Sequence, residues 1–119
     1  MEVNKVFTQE MKDKILSEPL FKGKIVSDSM EPVLKVGDLI VVDVKAAHLK
    51  RFDIIVFLTN GRLICHYLWQ RNQVVRPILM QTRSLNGSID YPIGEDDYIG
   101  KVISHKLSLW WKIRILVGL

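Results

Sequence analysis

Residues 53–69 read DIIVFLTNGRLICHYLW: two runs of β-branched and aromatic residues on either side of Asn60-Gly61. Asn-Gly tolerates positive φ at both central positions of a two-residue turn, so the stretch predicts a β-hairpin. Upstream, "FKGKIVS" (21–27) and "LIVVDV" (39–44) have the same texture, short apolar runs bounded by turn residues. Downstream, "VVRPILMQTR" (74–83) reads as a further strand in which Pro77 forces a bulge or an edge position, after a reversal at Arg71-Asn72. "SLNGSIDYPIGEDD" (84–97) reads as a loop and "YIGKVISHKLSL" (98–109) as a return to strand. Residues 7–17 differ. Phe7, Met11, Ile15 and Leu20 fall on one face with Thr8 placed to cap, which predicts a short amphipathic helix ending before Pro19. The expected fold is mainly β, a curled antiparallel sheet with a short N-terminal helix.

The chain has 119 residues, 48% of them hydrophobic, which suits one globular domain with one real core. Its net charge of +4 is carried by scattered Lys and Arg rather than by a basic patch, so no nucleic-acid partner is expected. A single cysteine, Cys65, excludes an internal disulfide framework. The charged N-terminus contains neither a signal peptide nor a spanning helix, so the expected location is cytoplasmic or membrane-peripheral. The three histidines, His48, His66 and His105, lack ligand spacing, and Cys65 and His66 should point to opposite faces of a strand. No metal and no cofactor are implied.

The remaining turn residues crowd into "KIVSDSMEPVLKVGDLIVVD" (24–43). Pro32 stiffens the chain just after Ser29, and Gly37-Asp38 turns it into the strand that starts at Leu39. An arbitrary Ser-x-Ser is an ordinary polar turn. A serine held at a rigid, exposed corner is also where a nucleophile belongs, provided a base and an oxyanion site lie nearby.

The longer pattern "S-x-S-M-x-P" followed by "G-D-x-I/V-V" resembles the nucleophile box of the signal peptidase and LexA-type serine peptidases. Later segments match the family's boxes in the right order: "RFDIIVF", "LICHYL", "QTRSLNGSIDYPI" and "YIGKV". The resemblance runs from about Lys24 to Val102 and implies the signal-peptidase/LexA-like β fold, with residues 1–23 as a helical lead-in and 24–119 as the peptidase domain. It also implies roles. Ser29 matches the nucleophile, and the Ser27 hydroxyl joins the Ser29 amide in the oxyanion hole. His66 stands where bacterial signal peptidases and LexA-like proteins have lysine, and where the archaeal and endoplasmic-reticulum type has histidine. Asp90 matches the final aspartate of the third box, where it would orient His66. A histidine base, unlike lysine, accepts a proton near neutrality without an unusually lowered pKa. The substrate implied is an extended peptide with small residues at the cut, bound alongside the sheet.

Four departures qualify the resemblance. Phe52 stands where glycine is usual, Ser84 and Leu85 where the third box has glycine and its first aspartate, and Tyr67 where an arginine commonly follows the base. Two further readings stand beside the peptidase: a catalytically impaired peptide-binding module of the same fold, and a LexA-like self-processing regulatory domain. The C-terminal segment "LSLWWKIRILVGL" (107–119) also has two readings. Leu107, Leu109, Trp111, Ile113, Ile115 and Val117 fall on one face and Ser108, Lys112 and Arg114 on the other, together with Trp110 and Leu116, much as a final strand packed on the sheet would. The alternative is peripheral membrane contact, since Trp with Lys and Arg suits the headgroup boundary. Oligomeric state is not legible.

Overall fold

The computed structural model describes residues 7–71 and 78–118. Its elements in chain order are α1 (Gln9–Leu16), β1 (Leu20–Lys24), β2 (Leu39–Val44), β3 (Ile54–Thr59), β4 (Arg62–Arg71), β5 (Leu79–Arg83), β6 (Ile93–Gly94), β7 (Tyr98–Val102) and α2 (Leu109–Leu116). The strands form one antiparallel sheet in the order β1-β2-β7-β3-β4-β5-β6. The fold is therefore mainly β, as expected from the short β-branched and aromatic runs bounded by turn residues.

The central hairpin forms in the register the turn dictates. Asn60 and Gly61 have φ of 52° and 75°, and Thr59 pairs with Arg62. Both faces of β3 are buried, with Ile54 and Val56 in one apolar cluster and Ile55 and Phe57 in another. The first cluster also takes Met30, Leu34, Ile40, Val42, Tyr67, Ile99 and Leu107; the second takes Leu68, Met80, Ile93 and Tyr98. β7 lies between β2 and β3, and the closeness of the strands there requires Gly100. A Cβ at that position would collide with the Asp43 carbonyl and lie 2.7 Å from Val42 Cγ1.

α1 is capped by Thr8, whose hydroxyl accepts from the Met11 amide at 3.2 Å. Ile15 and Leu16 of this helix pack against the first cluster. Leu20 is not part of the helical face: it opens β1 and is largely exposed. β6, only two residues long, was expected as loop. Arg71, expected at a reversal, is the last residue of β4 and pairs with Met80; Asn72 and the strand start around Pro77 lie outside the described residues.

The expected final strand is a helix. Both edges of β7 are already occupied, by β2 and β3, so a strand following it closely has no open edge to pair with. A helix satisfies the backbone groups internally instead. Ser108 caps it, accepting from the Trp111 amide at 3.3 Å, and Trp111 and Ile115 turn inward onto the first cluster.

Candidate active site

Ser29 sits in the loop joining β1 to β2, and the sequence explains how that loop is pinned. The Leu34 amide donates to the Met30 carbonyl at 2.9 Å, closing one helical turn. Met30 and Leu34, four residues apart, both plunge into the first cluster at 2% and 0% exposure. At its base the loop is closed by paired backbone bonds, Ile25 N–H to the Asp38 carbonyl and Gly37 N–H to the Ile25 carbonyl, each 2.8 Å. Gly37 has φ of 95°, a conformation that favours glycine. Ser29 is left half-buried beside the anchored Met30.

His66 lies in the middle of β4, opposite Ile55, with its ring edge-on to Phe57 at 6.2 Å between centroids. It is buried, yet both ring nitrogens are engaged. Nε2 is 3.1 Å from Ser29 Oγ, and Nδ1 is 2.5 Å from Asp90 Oδ2. With the Nδ1 proton directed at the carboxylate, Nε2 is the acceptor and the Ser29 hydroxyl donates to it.

Asp90 reaches this place through a tight turn. Gly87 (φ 97°) donates to the Ser84 carbonyl at 3.2 Å, and Ser84 donates to the Ser88 carbonyl at 3.0 Å. The Asp90 amide then donates to the Thr82 carbonyl at 3.0 Å, which sets Asp90 beside β5. The buried Ser84 hydroxyl bonds Asn86 Oδ1 and accepts from the Ser88 amide, bracing the turn from inside.

Sequence reasoning missed Thr82. It is fully buried, and its hydroxyl donates to Asp90 Oδ2 at 2.7 Å, the same oxygen that meets His66. A buried threonine beside a carboxylate needs a partner, but only the register between β5 and the turn identifies which one.

Ser29, His66 and Asp90 thus form one connected chain of contacts. Ser27 is brought to the same corner, where its hydroxyl accepts from the Ser29 amide at 3.2 Å. The departures from the family pattern have structural consequences as well. Leu85 has no carboxylate to offer, yet its amide donates to the Ser29 carbonyl at 3.0 Å and so steadies the Ser29 loop. Phe52 adopts φ of 79°, a region costly for a bulky residue, which explains why glycine suits the position. Its ring packs 6.2 Å from Tyr67 and 6.1 Å from Trp69 in partial return. Tyr67 points away from His66 into the first cluster. Cys65 also faces that cluster, where burial pushes its thiol up to about 12 and keeps it protonated.

A lysine base would need a lowered pKa. Lys45 has one, through burial first and then the charge of Lys12. Its ammonium, however, donates to the Glu95 carbonyl at 3.0 Å and the Tyr98 carbonyl at 2.6 Å, tying loop to strand rather than serving Ser29.

A serine, an imidazole and a carboxylate are thus linked in series on one antiparallel sheet. That constellation recurs on unrelated folds, so membership of the LexA and signal peptidase superfamily rests on the sequence family. The sequence model of the Peptidase S24-like family matches residues 4–103, most of the chain, and the chain belongs to that family. Among curated proteins, none matches.

Proposed function

We propose that the protein is a signal-peptidase-like serine endopeptidase of the Ser-His subtype, cutting an extended peptide with small residues next to the scissile bond. The observation that carries this reading is the run of contacts from Ser29 Oγ to His66 Nε2 and from His66 Nδ1 to Asp90. Ser29 Oγ attacks the scissile carbonyl carbon while His66 Nε2 takes the hydroxyl proton. Negative charge then gathers on the carbonyl oxygen. The Ser29 amide is the donor placed to meet it, once the Ser27 hydroxyl turns from accepting that N–H to donating alongside it. Collapse of the tetrahedral intermediate breaks the C–N bond, and His66 returns the proton to the leaving amine. Water, deprotonated by the same imidazole, hydrolyses the acyl-serine. Asp90 holds the ring in the tautomer that keeps Nε2 free, and Thr82 holds Asp90.

Incubation with a library of precursor peptides, read by mass spectrometry, tests the reading. Wild type is expected to release fragments cut after small residues, and Ser29→Ala to release none. Cleavage confined to the protein's own chain, at a rate independent of its concentration, would instead assign it to the self-processing class. Intact peptides and an intact chain would leave the peptide-binding module.

A further inference from the structure

We propose that α2 seats the protein on an anionic lipid surface, independently of whether the Ser29 site is active. At 3.6 residues per turn, Leu109, Trp110, Ile113, Leu116 and Val117 occupy one contiguous arc of roughly 120°. All five are more than half exposed. Trp111 and Ile115 lie on the opposite side and are the residues that pack on the core. The helix therefore spends two apolar side chains on its own fold and presents five outward.

The cations decide what the arc faces. Lys112 and Arg114 fall on the two borders between the outward arc and the inward pair, one on each side. Arg114 lies over Trp110 at 5.1 Å, and Lys112 over Phe52 at 5.9 Å. Beyond Phe52 stands Trp69, whose ring carries the Arg51 guanidinium at 4.2 Å. Residues 98–118 contain Lys101, Lys106, Lys112 and Arg114 and not one Asp or Glu. An apolar stripe bordered by cations, with tryptophan at its edge, matches the boundary between acyl chains and anionic headgroups. A protein partner fits less well. Eight residues make a helix about 12 Å long and about 10 Å across, a face on the order of 120 Å² in projection and far short of the roughly 800 Å² per side that stable protein interfaces bury. Among the described residues no helix is long and apolar enough to cross a membrane, so α2 would lie in the surface plane.

The test is co-sedimentation of the full chain with phosphatidylcholine vesicles, with and without one quarter phosphatidylserine. Binding is expected on the phosphatidylserine vesicles, weakening as salt is raised. Lys112→Gln with Arg114→Gln should weaken it about 25-fold, roughly fivefold per cation. Trp110→Ser with Ile113→Ser should abolish it with the fold retained, the melting temperature dropping by no more than the few degrees that losing the edge contact of Trp110 on Trp111 costs. Absence of wild-type binding to phosphatidylserine vesicles overturns the proposal, as does undiminished binding by the serine pair. So does a wild-type dimer in lipid-free solution that the serine pair converts to monomer, since the arc would then belong to a second copy.

Discussion

Replacing Thr82 with valine removes one hydroxyl from the centre of the site and almost nothing else. The side chain is fully buried and valine has its shape, so no cavity opens. What is lost is the 2.7 Å bond to Asp90 Oδ2. A hydrogen bond to a charged group contributes about 1.5–3 kcal/mol net. Unfolding entropy near 2.1 cal/mol/K per residue gives about 0.25 kcal/mol per degree for a chain of this length, so the melting temperature should fall by about 6–12 °C. Asp90 would keep its contact with His66 but lose the group that fixes its own rotamer, and kcat/KM should fall by about tenfold or more. Thr82→Ser separates the two effects. It keeps the hydroxyl and gives up one buried methyl, worth about 1 kcal/mol, so it should melt a few degrees early yet retain near-wild-type kcat/KM. Calorimetry and peptide hydrolysis on the three proteins provide the readout. A valine variant with wild-type melting and wild-type kcat/KM would refute the reasoning.

Three other outcomes follow from separate parts of the molecule. Gly100→Ala should destabilise by about 1–3 kcal/mol or more, because the new methyl collides with the Asp43 carbonyl between β2 and β7; an unchanged denaturation midpoint would contradict it. Ser27→Ala should lower kcat by about a hundredfold with little change in KM, as loss of one oxyanion donor does; an effect on KM alone would remove Ser27 from that role. Cys65, its thiol raised to about 12 by burial, should resist alkylation at pH 8 in the folded protein. Since folding raises this acid's pKa from 9.0, the folded state binds more protons above pH 9, and stability should decline between pH 9 and about 12. Cys65→Ala should flatten that decline, and rapid alkylation of the native thiol would count against it.

The hairpin at Asn60-Gly61 was legible because two adjacent positive φ angles leave few residue choices. Thr8 and the N-terminal helix were legible for a similar reason, a cap followed by apolar spacing. The corner at Ser29 could be found from its motif, but its rigidity comes from Met30 and Leu34 entering the core, which no local periodicity announces. The C-terminal segment reads as a strand because eight of the eleven residues from 107 to 117 are apolar, so a period of two fits as readily as 3.6. Only the topology, with both edges of β7 taken, separates strand from helix. Thr82 was invisible for a related reason: its partner lies eight residues on, across a turn whose register Gly87 and Ser84 set.

The central claim is that Ser29 is a nucleophile activated by His66, and covalent capture tests it most directly. A peptidyl fluorophosphonate with alanine next to the phosphorus forms an Oγ–P bond and expels fluoride only at an activated serine. Intact mass followed by tryptic mapping should place one adduct on the peptide spanning residues 25–35, at Ser29, in wild type. Capture should be slowed strongly in His66→Ala and absent in Ser29→Ala. An adduct on another residue, or capture at the wild-type rate without His66, would contradict the account.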